Sequence, residues 1–121
     1  MIAGIGVDLV DIARFERSLD RTPRLKQRVF TAAEQAVSPR SLAARYAAKE
    51  ALMKALGGSD GVSWLEIEVV TEPSGKPRFQ LRGATAAVLA QRRIDRAHLS
   101  LSHDGGLAIA YVLLEVSGDG C

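Results

Sequence analysis

Cysteine, aromatic side chains and long apolar runs are all scarce in this chain of 121 residues. The single cysteine, Cys121, cannot form an internal disulfide, so we expect a reducing compartment. No run approaches the roughly 18 apolar residues that cross a bilayer, and the first residues lack the basic leader of a secretory signal. These absences predict a cytoplasmic protein with no membrane partner.

The scarcity of aromatic, histidine and cysteine residues also disfavours several functional classes. Aromatic residues make up 5% of the chain, too few for a platform on which single-stranded nucleic acid would stack. The histidines and the cysteine lack zinc-ligand spacing, and neither a Walker-type loop nor a dinucleotide fingerprint is present. Ser102, His103 and Asp104 have the composition of a hydrolytic triad, but strand neighbours point in opposite directions and no nucleophile elbow surrounds the serine.

Positive charge is concentrated in one segment. The formal net charge is +2, yet residues 12–28 hold six cations and two acids. One basic patch on a near-neutral body predicts an acidic partner. A nucleic-acid-binding module is an alternative function for this patch, although the cations lie in one helical stretch instead of lining a groove.

The segment that organises the chain is a predicted helix over residues 41–56. It is rich in alanine and leucine, lacks β-branched residues, and lies between Ser38-Pro39 and a Gly-Gly pair. Apolar side chains cover nearly its whole surface, which indicates a buried helix. Its charges allow two interpretations. Either Glu50 and Lys54 pair along the helix while lysine stems reach solvent, or the charges form a site in which an acid holds a metal and cations face an anion.

Residues 1–10 form a predicted buried strand in which Gly4 and Gly6 let another backbone or a ligand come close. Asp8 is anomalous there, because an ionised carboxylate among apolar neighbours is costly unless it is paired, hydrogen-bonded or bound to a cation. The alternative role for Asp8 is a cap on the helix that begins near Asp11.

The other elements predict a single α+β domain over residues 1–116, followed by a disordered tail at residues 117–121. Thr31 and Glu34 form a capping box that opens a short helix. Alternating apolar and polar residues predict two hairpins. The predicted helices are residues 11–20, 24–29, 41–56 and 84–94, and the predicted strands are residues 1–10, 64–71, 79–82, 98–103 and 107–116.

Two carboxylates in apolar surroundings, Asp8 and Glu50, predict a site for a hard cation. Oxygen ligands favour Mg²⁺, which keeps several waters and completes its shell with phosphate oxygens. The cations available to face a polyphosphate are Arg45, Lys49, Lys54, Lys76 and His103. This combination is typical of phosphoryl or phosphodiester transfer, and a different Mg²⁺-dependent phosphohydrolase is an alternative.

Five motifs in register resemble the small 4′-phosphopantetheinyl transferases of the holo-acyl-carrier-protein synthase family. They are GIGVDL at residues 4–9, FTAAE at residues 30–34, RYAAKEALMKA at residues 45–55, GKP at residues 75–77 and HLSLSH at residues 98–103. The resemblance implies a mostly antiparallel sheet packed against a long central helix, in a homotrimer with active sites at the subunit interfaces. It also implies Mg²⁺-dependent transfer of 4′-phosphopantetheine from coenzyme A to a serine of apo-acyl-carrier protein, with release of adenosine 3′,5′-bisphosphate.

The resemblance also implies residue roles. It assigns the metal to Asp8 and Glu50, with Lys54 as a third catalytic residue at the leaving phosphate. Nucleotide binding is assigned to Arg45, Lys49, Lys54, Gly75, Lys76, Pro77, Ser102 and His103, and docking of the acidic carrier protein to Arg14, Arg21 and Arg24. Glu50 is the expected general base through a metal-bound water, and Glu34 is a lesser candidate.

The sequence departs from this family at two places. Tyr46 stands where phenylalanine or tryptophan is more usual, and the connection from Glu34 to Arg45 is short. The residues leave open which carrier protein is modified, whether the domain is excised from a larger synthase, and whether Mn²⁺ replaces Mg²⁺.

Overall fold

The computed structural model of the protein describes residues 1–118 and contains two antiparallel sheets and four α-helices. The predicted α+β class is confirmed. The strands are β1 (Ile2–Asp11), β2 (Ile67–Thr71), β3 (Pro77–Leu81), β4 (Arg96–Asp104) and β5 (Leu107–Glu115). The helices are α1 (Ile12–Arg21), α2 (Leu25–Val29), α3 (Pro39–Leu56) and α4 (Gly83–Gln91). One sheet has the order β1-β5-β4, and β2 and β3 form a separate hairpin.

Helix α3 is the buried helix that the alanine-rich segment predicts. It begins two residues before the predicted start, because the Ser38 side chain accepts a hydrogen bond from the Ser41 backbone N–H and Pro39 occupies the first turn. Gly57, at a φ of 86°, ends it in the left-handed conformation. The helix packs against β1 and β5 and buries residues on most of its circumference.

Strand β1 approaches α3 closely because two of its residues have no side chain. A Cβ atom on Gly6 would collide with the carbonyl oxygen of Ala51, and one on Gly4 would collide with that of Ala55. The predicted reason for these glycines, a close backbone approach, is therefore confirmed. The strand and the helix run antiparallel, so Asp8, two residues beyond Gly6, lies beside the middle of α3.

The three-stranded sheet has one buried face and one exposed face. The residues that it contributes to the core are Val10, Leu99, Ala108, Ala110, Val112 and Leu114. The opposite face is apolar but open to solvent, and its exposed large side chains are Ile5, Val7, Leu9, Leu107, Ile109 and Tyr111. We call this set the outer apolar face.

Two predicted elements differ from the structure by three residues at one end. Residues 64–66 form a 3₁₀ turn instead of the start of a strand, because Glu66 turns toward the start of α4. Its carboxylate accepts hydrogen bonds from the backbone N–H groups of Ala84 and Thr85. Helix α4 ends three residues before the predicted end, and Arg93 follows it with a φ of 61°.

The capping box is confirmed, since Thr31 and Glu34 exchange hydrogen bonds between side chain and backbone. The predicted tail begins at Ser117, whose backbone N–H donates to Asp95 Oδ1 at 2.9 Å. Residues 119–121 of that tail lie outside the described part of the chain. Within residues 1–118, no helix has the length and apolar character needed to cross a membrane.

Candidate active site

Asp8 lies in the middle of β1 and faces α3. Its carboxylate accepts a hydrogen bond from Lys54 Nζ at 2.9 Å, and 15% of its side chain is exposed. It does not cap α1. Asp11 does so, by accepting from the backbone N–H of Arg14 at 2.9 Å. Of the two roles considered for Asp8, the structure therefore gives it the paired, site-facing one.

Lys54 connects α3 to β1. Its ammonium donates to the Val7 carbonyl oxygen at 3.1 Å as well as to Asp8, and 55% of its side chain is exposed. The hydrogen bond to Asp8, followed by the Asp8 charge, raises the pKa of Lys54. The ammonium therefore stays charged at neutral pH. Within residues 1–118 no ion pair joins Lys54 to Glu50, so the alternative of a Glu50–Lys54 helix pair is wrong.

The side chain of Glu50 instead accepts a hydrogen bond from another side chain of α3. The hydroxyl of Tyr46, one turn earlier, donates to Glu50 Oε1 at 3.0 Å. Burial raises the pKa of Tyr46 to about 12, and the hydrogen bond to Glu50 and the charges of Glu50 and Asp8 add to this effect. The phenol is consequently a hydrogen-bond donor throughout the physiological pH range.

Two cavities meet at Glu50. The first, of about 300 Å³, is lined by Asp8, Arg14, Tyr46 and Glu50, among others. The second, of about 640 Å³, is lined by Glu50 and Lys54 together with Trp64 and the Gly57-Gly58 pair. The structure thus brings Asp8, Glu50 and Lys54 together, although Asp8 is more than forty residues from the other two in the chain.

The chemistry of these donors fits a hard divalent cation with an incomplete protein shell. Asp8 and Glu50 border one cavity and supply only carboxylate oxygens. Within residues 1–118, no group of three or more histidine, cysteine, aspartate or glutamate side chains is arranged around a metal position. Two protein carboxylates suit Mg²⁺, which takes its remaining ligands from water and substrate phosphates. A zinc site would need more ligands.

Lys49 is not placed to bind a nucleotide. Its side chain is completely buried, and its ammonium donates to Glu34 Oε1 at 2.7 Å, the Val29 carbonyl at 2.7 Å and the Trp64 carbonyl at 3.2 Å. All three N–H groups are therefore used within the chain. Burial lowers the pKa of Lys49, and the hydrogen bond to Glu34 opposes that shift. The role predicted for Lys49 as a nucleotide ligand is corrected to a structural one.

Glu34 is equally unsuited to act as a base. Its side chain is 1% exposed, and its two oxygens accept from Lys49 and from the backbone N–H groups of Thr31 and Val69. It lines neither cavity at Glu50. The lesser candidate for the general base is thus a buried partner of Lys49.

Apart from Lys54, which lines the second cavity, the other predicted nucleotide ligands line neither of the cavities that Glu50 borders. Arg45 lies on α3 and donates to the Thr71 hydroxyl at 3.5 Å. The predicted GKP turn, Gly75, Lys76 and Pro77, joins β2 to β3. Ser102 is exposed on β4, while His103 lines a separate cavity of about 410 Å³.

Two atoms of this set have unused hydrogen-bonding capacity. Within residues 1–118, Arg45 Nε and His103 Nε2 are the buried side-chain polar atoms that lack a hydrogen-bond partner. Buried polar groups normally have partners, so these two require an explanation.

The predicted docking arginines lie on or next to α1 and α2, two helices that contribute residues to the wall of the first cavity. Arg14 lines that cavity, Arg21 ends α1, and Arg24 precedes α2. All three side chains are exposed. The basic surface therefore borders the carboxylate site.

The sequence analysis did not identify the hydroxyl of Tyr46 or the ring of Trp64 as parts of the site. The spacing of Tyr46 and Glu50, four residues apart on a helix, was a usable signal, since side chains at that spacing are neighbours. Trp64 carried no such signal, because its contact with the Tyr46 ring depends on the tertiary fold.

Comparison with known proteins gives consistent matches. A model of the 4′-phosphopantetheinyl transferase superfamily matches residues 4–112. A holo-[acyl-carrier-protein] synthase of Clavibacter sepedonicus is 58% identical over 118 residues, which cover 98% of this chain and 99% of that protein. The structure of the Neisseria meningitidis holo-[acyl-carrier-protein] synthase matches with a TM-score of 0.88 at 35% identity, covering 95% of this chain and 99% of that one. The Helicobacter pylori synthase, solved in complex with coenzyme A, matches with a TM-score of 0.82 at 32% identity, covering 92% of this chain and 99% of that one.

These matches confirm the resemblance predicted from the five motifs, and they extend it over nearly the whole chain. They also confirm the predicted fold, antiparallel strands packed on a long central helix. The chain therefore belongs to the holo-[acyl-carrier-protein] synthase family of the 4′-phosphopantetheinyl transferase superfamily, a family of enzymes.

Proposed function

We propose that the protein transfers 4′-phosphopantetheine from coenzyme A to a serine of apo-acyl-carrier protein, with Mg²⁺ bound by Asp8 and Glu50 and adenosine 3′,5′-bisphosphate as the second product. The observation that carries this proposal is the shared cavity of the two carboxylates, which Arg14 also lines and in which Asp8 pairs with Lys54. The names of the relatives, and the coenzyme A bound in the Helicobacter pylori structure, support the choice of substrates.

In this proposal the acidic residues of the site bind the metal and the basic residue stabilises the leaving phosphate. Mg²⁺, held by Asp8 and Glu50, would neutralise charge on the pyrophosphate of coenzyme A and lower the pKa of a coordinated water, whose hydroxide form could take the proton of the carrier serine. The two metal-binding carboxylates come from different secondary-structure elements, Asp8 from β1 and Glu50 from α3. Lys54, an exposed ammonium with a raised pKa, supplies positive charge to the leaving phosphate. Tyr46 and Phe15 close the first cavity on its apolar side and limit access of water.

The active form in this proposal is a homotrimer in which a neighbouring chain completes the nucleotide site. Arg45, the GKP turn, Ser102 and His103 would then act on the coenzyme A of an adjacent subunit. Two observations support this arrangement. Arg45 Nε and His103 Nε2 lack a partner within residues 1–118 and could donate to a phosphate, and the outer apolar face exposes six large apolar side chains, as protein interfaces do.

Assembly and activity should fail together when the outer apolar face is charged. Ile109→Asp places a carboxylate in the centre of that face, and we expect light scattering to report the mass of one chain, against three for the wild type. Transfer should fall in parallel. Ala87→Asp, on the exposed side of α4, is the control and should stay trimeric. An active monomeric variant would contradict the shared site.

The carrier protein is proposed to dock on Arg14, Arg21 and Arg24, because an acidic protein complements this basic surface. Arg14→Glu should raise the KM for apo-carrier protein about tenfold, since it turns an attraction into a like-charge contact, while the KM for coenzyme A changes less than about twofold. Arg17→Glu, on the same helix but outside the cavity lining, is the matched control and should have a smaller effect. Equal effects on both KM values would exclude this docking surface.

One incubation separates the proposed function from its two alternatives. The protein is mixed with coenzyme A, Mg²⁺ and an apo-carrier protein, and the carrier is analysed by mass spectrometry. A mass gain of one phosphopantetheine supports transfer. Release of inorganic phosphate without that gain supports a phosphohydrolase. No change in either, together with tight oligonucleotide binding, supports a nucleic-acid-binding module.

A further inference from the structure

The ring of Tyr46 lines the first of the two cavities that meet at Glu50, and its two aromatic neighbours line one cavity each. It stacks on Trp64 with a centroid separation of 5.5 Å and an interplanar angle of 15°. On its other side it contacts Phe15, with centroids 5.1 Å apart and an angle of 35°. Phe15 lines the first cavity and Trp64 lines the second. Packing from both sides therefore fixes the plane of the ring.

A fixed ring also fixes the position of its hydroxyl. The Tyr46 oxygen lies 3.0 Å from Glu50 Oε1, and the two residues are one turn apart on the same side of α3. Within residues 1–118, this is the hydrogen bond that Glu50 makes through its side chain. Lys54, which might have competed for that carboxylate, is engaged by Asp8 and the Val7 carbonyl.

From this geometry we infer that Tyr46 is a positioning residue, whose hydroxyl holds one oxygen of Glu50 and leaves the other directed toward the metal position. The inference rests on the proposed function, because it concerns the same carboxylate. A glutamate has three rotatable side-chain bonds, and holding one oxygen in advance removes part of the entropy that metal binding would otherwise cost. The aromatic contacts with Phe15 and Trp64 make the arrangement rigid before any substrate arrives.

The hydroxyl and the ring make separable contributions. Tyr46→Phe deletes one oxygen and keeps the ring between Phe15 and Trp64. Tyr46→Leu removes the ring as well, so it should also lower the thermal stability. A purely structural role for Tyr46 predicts that the phenylalanine variant behaves as the wild type in every assay.

The test measures metal binding directly. Mn²⁺ serves as the probe, and its binding is followed by electron paramagnetic resonance with coenzyme A present and carrier protein omitted, so that no turnover occurs. We expect Tyr46→Phe to raise the Kd for Mn²⁺ about tenfold, which is the usual size of the effect when a group that orients a metal ligand is lost. In activity assays the same variant should need about tenfold more Mg²⁺ for half-maximal rate, with an unchanged KM for carrier protein.

A hydroxyl that donates to a carboxylate elsewhere provides a matched control. Ser117→Ala removes the hydroxyl that is hydrogen-bonded to Asp95, outside both cavities at Glu50, and should leave the Kd for Mn²⁺ at the wild-type value. An unchanged Kd in Tyr46→Phe, with normal binding by the wild type, overturns the inference while the proposed function stands. A wild-type protein that binds no Mn²⁺ and whose transfer activity does not depend on Mg²⁺ overturns the proposed function, and the inference with it.

Discussion

Glu50→Gln should lower the rate of phosphopantetheine transfer by about 10³-fold or more. Glutamine keeps the size of the side chain and an oxygen that accepts from Tyr46, but it removes the negative charge that a divalent cation requires. Stabilisation by a bound metal ion is worth several kcal/mol, which corresponds to a rate factor of about this size. The rate of mass gain on the carrier protein, at saturating coenzyme A and carrier, measures the effect.

The control for this variant is Glu68→Gln. Glu68 lies on β2 and pairs with Arg82 at 3.3 Å, outside both cavities at Glu50. It should leave transfer within about twofold of the wild type, since surface ion pairs contribute little. The melting temperature of Glu50→Gln should stay near that of the wild type. A fully active Glu50→Gln protein would remove Glu50 from the metal site.

Lys49→Met should lower the free energy of unfolding by about 3–5 kcal/mol, the cost of removing one partner from a buried ion pair. The substitution keeps the apolar stem but leaves the carboxylate of Glu34 buried, with backbone N–H groups from Thr31 and Val69 as its remaining donors. It also strands the carbonyl oxygens of Val29 and Trp64. Denaturant unfolding at one fixed protein concentration measures the loss, because assembly adds to apparent stability.

Lys54→Met is the matched control for this second variant. Both lysines lie on α3 and both pair with a carboxylate, at 2.7 Å for Lys49 and 2.9 Å for Lys54. They differ in exposure, since the Lys49 side chain is 0% exposed and that of Lys54 is 55% exposed. Solvent screens the exposed pair, so Lys54→Met should cost less than about 1 kcal/mol. Equal losses in the two variants would contradict the importance of burial. Adding Glu34→Gln to Lys49→Met should restore part of the stability, because it removes the unpaired charge.

Helix α3 could be predicted well because its information is local. Alanine-rich composition, the Ser38 cap and Gly57 all act within the segment itself, and apolar side chains around nearly the whole helix correctly indicated that it is buried. Asp8 could be singled out for a similar reason, because the cost of a carboxylate in an apolar strand does not depend on knowing its partner. The contact between Asp8 and the Lys54 ammonium could not be predicted in this way, because it depends on how β1 packs against α3.

The errors arose where a side chain contacts residues that are distant in the sequence. The nucleotide role of Lys49 was predicted from the family resemblance. Local patterns could not correct it, because its partner Glu34 lies fifteen residues away and already has a local role in the capping box. Glu66 alternates correctly for a strand, but its carboxylate is used to cap α4, so the chain forms a 3₁₀ turn there. Local periodicity cannot report either interaction, because each depends on which elements pack together.

Alternate residues of strand β1 face α3 and the outer apolar face, and this determines how a deletion in the gene would act. Gly4, Gly6 and Asp8 face α3, whereas Ile5, Val7 and Leu9 lie on the outer apolar face. Deletion of a single codon within residues 4–8 would move the residues on one side of the deletion to the opposite face of the strand, because side chains alternate with a period of two. Asp8 would then turn to the outside while a branched aliphatic side chain met the backbone of α3. A conservative point substitution at Ile5, Val7 or Leu9 leaves the inner residues in place, but a change of length by one residue would disrupt the proposed metal site and the packing in one event.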